Sequence, residues 1–166
     1  IAEAAQPAPE APLAALRDEI DRHFAGETLR DVIASLRAGT GDFAMETLDT
    51  LSRHAPLSMA CTLEILHRMR QGTPDIRKAL ELEYRFTHRA MADGDLLEGI
   101  RAAIVDKDRS PRWQHTLDGV PATAMSRMLM PVREAKLQFH EEERAMKIGF
   151  IGLGNMGAPM AANLAR

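Results

Sequence analysis

The sequence has a single cysteine and no long apolar segment, and each of these absences excludes a class of protein. Cys61 cannot form an internal disulfide or a multi-cysteine zinc site, and one thiol fits a reducing compartment. No segment reaches the roughly 18 apolar residues that a membrane span requires. The first twelve residues lack the basic and apolar regions of a signal peptide. We therefore expect a cytoplasmic protein that does not enter a membrane.

Aromatic residues are few, and there is no excess of positive charge. The 21 Lys and Arg residues are outnumbered by 24 Asp and Glu residues, so a basic surface for nucleic acid is not expected. Aromatic residues make up only 4% of the chain although 45% is hydrophobic. A core of Ala, Leu, Ile and Met favours helices, because strands prefer β-branched and aromatic residues.

Apolar residues at spacings of three and four predict six helices, over about 13–24, 28–39, 42–54, 58–70, 73–91 and 96–105. Thr28 and Asp31 resemble a capping box, Pro56 is expected to close the third helix, and Thr73 is expected to cap the fifth. The positions predicted to be buried are Leu16, Ile20, Ile33, Leu48, Leu63, Leu66, Leu80 and Tyr84.

The chain divides into four predicted parts. Residues 1–12 are expected to be a linker, and 13–131 a helical region in which 111–131 is irregular apart from a short helix near Ala122–Met130. Residues 132–145 are expected to form a polar connecting helix. Residues 146–166 have the pattern of a strand, a Gly-rich loop and the start of a helix. The predicted fold class is mainly α, with a short βα start of a Rossmann unit at the C-terminus.

The Gly-rich loop carries the spacing of a dinucleotide-binding motif. Gly152 allows a tight turn, Gly154 lets a pyrophosphate approach the backbone, and Gly157 permits close helix–strand packing; Asn155 and Met156 lie between them. The sequence ends at Arg166, so the downstream acidic residue and the remaining strands of such a sheet are missing from it. We therefore expect that this motif does not bind NAD or NADP in this chain.

The remaining candidates for metal or nucleophilic chemistry are weak. Glu64 and His67 have the spacing of half a di-iron site, but the second half is absent and a solvated helix face is the favoured interpretation. Cys61 lies beside an apolar stripe without an evident base, which favours a buried thiol. No metal site is expected.

The charged connection 106–109 leaves two interpretations open. Its cations could bind a phosphate, or the segment could be a solvated turn with local ion pairs, which the spacing favours. Arg85 is expected to form a structural ion pair with Glu98 of the following helix.

Several motifs, in order, resemble one family over residues 11–118. They are Phe24–Gly26, Ala55–Ser58 with Thr62 and Leu63, Leu82–Arg85, and above all the continuous segment Gly94–Trp113. This pattern resembles the C-terminal region of the 3-hydroxyisobutyryl-CoA hydrolases, a valine-catabolic branch of the crotonase, or enoyl-CoA hydratase/isomerase, superfamily. The chain departs from that pattern at Leu96, where Phe is usual, and at Ala60, where Lys is common.

The resemblance implies a CoA thioester hydrolase whose catalytic carboxylates and oxyanion-hole donors belong to an N-terminal core. No residue of this chain inherits a catalytic role, so the chain alone is expected to be inactive. The helical region would cover the CoA site and mediate association. The implied partners are an acyl-CoA substrate and the N-terminal core or other subunits, and the implied assembly is a homo-oligomer. Lys107 would contact a CoA phosphate, and no further cofactor is required.

Residues Met146–Leu164 resemble the opening of the β-hydroxyacid dehydrogenases, most closely 3-hydroxyisobutyrate dehydrogenase, with Met146 as initiator. That dehydrogenase acts on the product of the hydrolase. Our hypothesis is that two neighbouring bacterial genes are read as one chain, by fusion or lost termination. Three interpretations stay open: an incomplete thioester hydrolase, the start of an NAD(P)-dependent oxidoreductase, and a non-catalytic helical association module.

Overall fold

The computed structural model describes residues 11–73 and 75–139, which form packed helices and contain no β-strand. The α-helices are α1 (Pro12–Ala15), α2 (Arg17–His23), α3 (Leu29–Ala38), α4 (Asp42–Ser52), α5 (Pro56–Arg70), α6 (Ile76–Ala90), α7 (Leu96–Ile100) and α8 (Ala122–Met128). Helix α7 continues directly into a π-helical segment, Arg101–Val105. The predicted mainly α fold is confirmed for this part of the chain.

Helix α3 begins with the predicted capping box. The Thr28 hydroxyl accepts a hydrogen bond from the Asp31 backbone N–H at 3.2 Å, and the Asp31 carboxylate accepts one from the Thr28 N–H at 3.0 Å. The pKa of Asp31 is lowered by the bonds from the side chain and then the backbone of Thr28. Two N–H groups that a helix start leaves unpaired are therefore satisfied.

The core lies between α3, α4 and α5 and extends to α8. Three clusters of buried side chains form it: Val32, Leu36 and Ala44; Leu29, Ile33 and Ala60; and Leu57, Cys61, Met128 and Leu129. They join α3 to α4, α3 to α5, and α5 to the end of α8. The four buried positions of α3 are spaced so that they share one face of the helix, and this face supplies two of the clusters.

The predicted core is correct at Ile33, while Ile20, Leu48, Leu63 and Tyr84 are half-buried. Three of the predictions are wrong, because Leu16, Leu66 and Leu80 are 37%, 48% and 42% exposed.

Helix α6 explains one of these errors. It has a second apolar stripe, with Leu82 and Ala90 buried and Phe86 half-buried between them, and it packs against α5 and α8. The stripe that contains Leu80 faces outward.

Three boundaries also differ from the sequence prediction. Pro56 is the first residue of α5 rather than the end of α4, since proline at that position loses no hydrogen bond. Asp75, not Thr73, caps α6, because its carboxylate accepts the Arg77 N–H at 2.9 Å. Pro12, assigned to the linker, already belongs to α1.

The predicted connecting helix over 132–145 is absent from its described part. Residues 132–139 contain a turn and no helix. Its apolar residues Val132, Leu137 and Phe139 are half-buried in a non-helical segment that follows Pro131. The rest of that segment, the predicted strand and the Gly-rich loop lie outside the described residues.

Candidate functional site

The charged connection after α7 folds around Arg101. Its guanidinium donates twice to the Glu98 carboxylate, at 2.9 and 2.8 Å, and its Nη1 donates to Asp106 at 2.6 Å and to Asp108 at 2.7 Å. Its Nη2 also donates to the Ser110 carbonyl at 3.1 Å. We call Glu98, Arg101, Asp106 and Asp108 the Arg101 cluster. A guanidinium suits this position because its planar fork can serve several acceptors at once.

The contacts within the Arg101 cluster shift the pKa values of its side chains. The side chain of Arg101, and then the backbone N–H of Arg112 at 2.6 Å, lower the pKa of Glu98 to about 2. Arg101 also lowers the pKa of Asp108, helped by the backbone N–H of Ser110. In return Glu98, Asp108 and Asp106 raise the pKa of Arg101. These shifts favour the charged forms of Glu98, Asp108 and Arg101 at neutral pH.

The loop that leaves the cluster has an unusual backbone. Lys107 and Arg109 have φ angles of 56° and 52°, in the left-handed region that disfavours residues with a Cβ atom. The preceding π-helical segment closes with the Asp106 N–H on the Arg101 carbonyl at 2.8 Å. The contacts that Asp106 and Asp108 make to Arg101 hold the loop in this conformation, since non-glycine residues stay in the left-handed region only where the surrounding structure imposes it.

This arrangement separates the charges of the connection. The acidic side chains of Asp106 and Asp108 bind Arg101, while Lys107 and Arg109 are exposed. Within residues 11–73 and 75–139, neither exposed cation has an ion-pair partner. The local ion pairs that were expected of a solvated turn are therefore present. Two unneutralised cations nevertheless remain at the surface, where they can attract an anion.

A cavity of about 380 Å³ lies beside α7. Its lining includes Phe86, Asp95, Leu96, Ile100, Ile104 and Trp113. Trp113 lies over Gly99, where an added Cβ would be 3.6 Å from the indole ring.

Asp95 is buried in this region, with 5% of its surface exposed, and its Oδ1 accepts the Gln114 backbone N–H at 3.0 Å. Its Oδ2 is buried and has no hydrogen-bond partner among the described residues.

The other candidate residues take structural roles. Glu64 accepts a hydrogen bond from Arg68 at 2.7 Å, and no group of three or more His, Cys, Asp or Glu among the described residues could hold a metal ion. The predicted Arg85–Glu98 ion pair is wrong. Arg85 binds Glu81 one turn earlier on α6, because residues four apart on a helix are neighbours on its surface.

Cys61 is buried, and burial raises the pKa of its thiol to about 11. No helix in the described part of the chain is long and apolar enough to cross a bilayer.

Two residues of the site have roles that the sequence patterns did not predict. Arg101 could have been found from its spacing to Glu98 and from the two aspartates that follow the helix. Asp95 lies between the fifth and sixth predicted helices, and nothing in the sequence signals its burial. The role of Lys107 stays a prediction, and Gly152, Gly154, Asn155, Met156 and Gly157 lie outside the described residues.

Comparisons with known proteins find two different families in two parts of the chain. Residues 1–129 match the enoyl-CoA hydratase/isomerase family model, and residues 147–166 match the model of the NAD binding domain of 6-phosphogluconate dehydrogenase. Mitochondrial 3-hydroxyisobutyryl-CoA hydrolase from Rattus norvegicus is 34% identical over 97 residues, which are 58% of this chain and 25% of the relative. The Dictyostelium discoideum counterpart is 30% identical over 122 residues, 71% of this chain and 31% of the relative.

Solved structures agree with this assignment. An enoyl-CoA hydratase from Rhodobacter sphaeroides is 50% identical with a TM-score of 0.71, over 79% of this chain and 40% of that one. A carnitinyl-CoA dehydratase from Mycobacterium thermoresistibile is 34% identical with a TM-score of 0.75, and the match covers 85% of this chain and 40% of that one. The chain spans about a quarter to a third of the curated relatives it matches. Because the family model matches most of its residues, the chain belongs to the enoyl-CoA hydratase/isomerase family.

Proposed function

We propose that the chain is the C-terminal helical part of a 3-hydroxyisobutyryl-CoA hydrolase. The observation that carries this proposal is the 30–34% identity to curated hydrolases of that name from several organisms. The hydrolase adds water to the thioester carbonyl and breaks the C–S bond, which gives 3-hydroxyisobutyrate and the free thiol of CoA. This reaction belongs to valine breakdown.

The helical part would bind substrate rather than supply catalytic groups. Hydrolysis of a thioester needs a positioned acid–base group and hydrogen-bond donors for the oxyanion. None of the described residues combines these, and the Arg101 cluster is a structural element whose charges pair with one another. We assign to the exposed Lys107 a contact with a phosphate of CoA, supported by its position outside the cluster and by the neighbouring cation Arg109.

The test compares two proteins in a thioesterase assay that detects the released thiol of CoA. One is the 166-residue chain, and the other is a chimera in which residues 11–130 replace the part of the Dictyostelium discoideum hydrolase that this chain matches. We expect hydrolysis of 3-hydroxyisobutyryl-CoA by the chimera and none by the chain alone. A folded chimera without hydrolase activity would contradict the proposal.

Lys107 is tested in the active chimera. Lys107→Ala should raise KM for the acyl-CoA by about three- to tenfold and leave kcat unchanged, because a phosphate contact far from the thioester contributes equally to ground and transition states. Lys78→Ala is the matched control, since the Lys78 ammonium donates to the carbonyl of Arg68 within the bundle. An equal KM for the Lys107 variant and the parent would remove the assignment.

A second candidate function is favoured by the match of residues 147–166 to an NAD-binding domain. We propose that this segment is the beginning of a dehydrogenase and binds no dinucleotide in this chain, because the loop needs the remaining strands of the sheet to hold its N–H groups. Calorimetric titration with NAD and NADP tests this. Micromolar binding that disappears in Gly154→Val would contradict it.

The proposal places the protein in a bacterial cytoplasm as part of a larger, homo-oligomeric enzyme. It is supported by the single cysteine and by the likeness to two bacterial enzymes. The curated relatives named above are mitochondrial.

A further inference from the structure

The positive surface beyond α7 includes a third exposed cation, Arg112, besides Lys107 and Arg109. The Arg112 backbone N–H donates to Glu98 at 2.6 Å, which fixes this residue beside the Arg101 cluster, while its side chain is exposed. Like the other two cations, it has no ion-pair partner within residues 11–73 and 75–139. The loop therefore presents three cations to solvent.

The acids of this segment are all held by Arg101. Residues 98–112 contain three acidic residues, and each accepts a hydrogen bond from the Arg101 guanidinium, at 2.9, 2.6 and 2.7 Å. Asp106 and Asp108 alternate with Lys107 and Arg109 in the sequence, so acids released from Arg101 would be within reach of these cations. Opposite charges at close range neutralise one another and weaken the attraction for a further anion. The Arg101 cluster thus keeps the outer cations unpaired.

The backbone of the loop is held by further hydrogen bonds. Asp108 Oδ1 accepts the Ser110 N–H at 2.8 Å, and the Arg109 N–H donates to the Ala102 carbonyl at 3.0 Å. Together with the contacts of the cluster, these bonds hold the left-handed residues Lys107 and Arg109 in place. A site whose backbone is fixed before the ligand arrives binds more tightly, because less conformational entropy is lost on binding.

We propose that Arg101 is a positioning residue for acyl-CoA binding. It does not touch the substrate, and it holds the neighbouring acids away from Lys107, Arg109 and Arg112. These three cations then remain available to the phosphates of CoA. The inference rests on the proposed function, which assigns a phosphate contact to Lys107, and it adds Arg109 and Arg112 as phosphate-binding residues.

The first test measures the Kd of free CoA for the chimera described above, by calorimetric titration. Arg101→Met releases the acids and should raise this Kd by about tenfold. Adding Asp106→Asn and Asp108→Asn to that variant removes the released charges and should lower its Kd by at least about threefold, and by less than that in the parent, where Arg101 already holds both acids. A merely structural role of Arg101 predicts no such recovery, since the two further substitutions restore no contact.

The second test uses hydrolysis by the same chimera. Arg101→Met should raise KM for the acyl-CoA by about tenfold and leave kcat unchanged, because phosphate contacts contribute equally to the ground and transition states. Arg109→Ala and Arg112→Ala should each raise KM by about three- to tenfold. Arg85→Met is the matched control, since Arg85 is an arginine of similar exposure whose ion pair lies within α6. Its KM and Kd should equal those of the parent.

Three results would overturn the inference: a Kd of the Arg101→Met variant equal to that of the parent, no recovery when the two aspartates are removed, or a fall in kcat with KM unchanged. If the Arg101→Met chimera does not fold, Arg101→Lys takes its place. Lysine keeps the charge but not the planar fork, so Kd should rise by about threefold, and an unchanged Kd would contradict the role of Arg101.

The titration with free CoA separates this inference from the proposed function, because it requires no turnover. The expected Kd changes in a chimera that does not hydrolyse the acyl-CoA would support the role of Arg101 and contradict the proposed function. Hydrolysis with unchanged Kd values would do the reverse.

Discussion

At the scale of single residues, Arg101 determines the course of the connection that follows α7. One guanidinium binds three carboxylates and a carbonyl, and the backbone between them adopts left-handed conformations at two non-glycine positions. Charge-assisted hydrogen bonds of this kind are stronger than neutral ones, and a planar fork restricts their geometry. The result is a loop that holds its acids against one cation and exposes two others.

The pH dependence of the free energy of unfolding should reveal the contribution of Glu98 to stability. Its pKa is about 2 in the folded chain, against an ordinary value of 4.5, so its contribution is complete above 4.5 and is lost as the pH falls toward 2. Glu98→Gln should therefore lose less unfolding free energy than the parent when acidified from about pH 5 to about pH 2.5. Chemical denaturation at a series of pH values measures this. Glu46→Gln, an exposed residue of α4, is the control, and an identical acid response in both variants would contradict the prediction.

Cys61 should be unreactive while the chain is folded. The thiol is 1% exposed and its pKa is raised to about 11, so at about pH 8 only about a thousandth is thiolate. Alkylation by iodoacetamide, followed by intact mass, should be negligible in buffer and complete in denaturant. Cys61→Ser measures the background. Rapid labelling of the folded chain would place the thiol at the surface.

At the scale of elements, the start of α3 is a separable source of stability. Thr28→Ala removes the hydroxyl that accepts the Asp31 N–H and should reduce the free energy of unfolding by about 1 kcal/mol. Thr28→Ser keeps an oxygen at the same position and should retain most of that stability. Urea denaturation of the three proteins gives the values. Equal losses in the two variants would show that the threonine methyl, rather than the cap, matters.

The end of α8 depends on a side chain from another helix. Arg89 of α6 donates to the carbonyl of Met128, one of the last carbonyls of α8, which the helix itself leaves without a partner, and to those of Met130 and Pro131 just beyond it. Arg89→Met preserves most of the length of the side chain and should cost about 1–3 kcal/mol. Arg70→Met, at the exposed end of α5, is expected to cost less than about 0.5 kcal/mol in the same urea titration. A comparable loss in both variants would argue against this role of Arg89.

At the scale of the whole molecule, burial decides which apolar residues matter. Ile33 is fully buried between α3 and α5, so Ile33→Ala should cost about 2–5 kcal/mol. Leu80 is 42% exposed, and Leu80→Ala should cost less than about 1 kcal/mol. Both values follow from equilibrium unfolding in denaturant. A larger loss at Leu80 would mean that its side chain is covered in solution.

The helical chain also leaves much apolar surface in water. Residues such as Leu13, Leu66, Ile76, Leu97 and Ile104 are each about half or more exposed. Exposed apolar residues that lie close together are typical of an interaction site, whereas single ones are common on any protein surface.

Local chemistry made much of the structure predictable. The capping box, the buried face of α3, the short helix α8 and the family motif from Gly94 to Trp113 depend on neighbours within a few residues, so the sequence by itself determined them. The sequence also predicted a buried thiol at Cys61, although the residues that cover it, Met128 and Leu129, are distant along the chain.

Only the tertiary structure decided which side of α6 faces the core, because two apolar stripes compete on that helix and the contacts with α5 and α8 select one. It also decided that Asp95 is buried and that one of its carboxylate oxygens has no hydrogen-bond partner among the residues described. These features depend on distances between elements. Hydrophobic spacing does not encode such distances, since it specifies the faces of a helix but not the neighbour that each face meets.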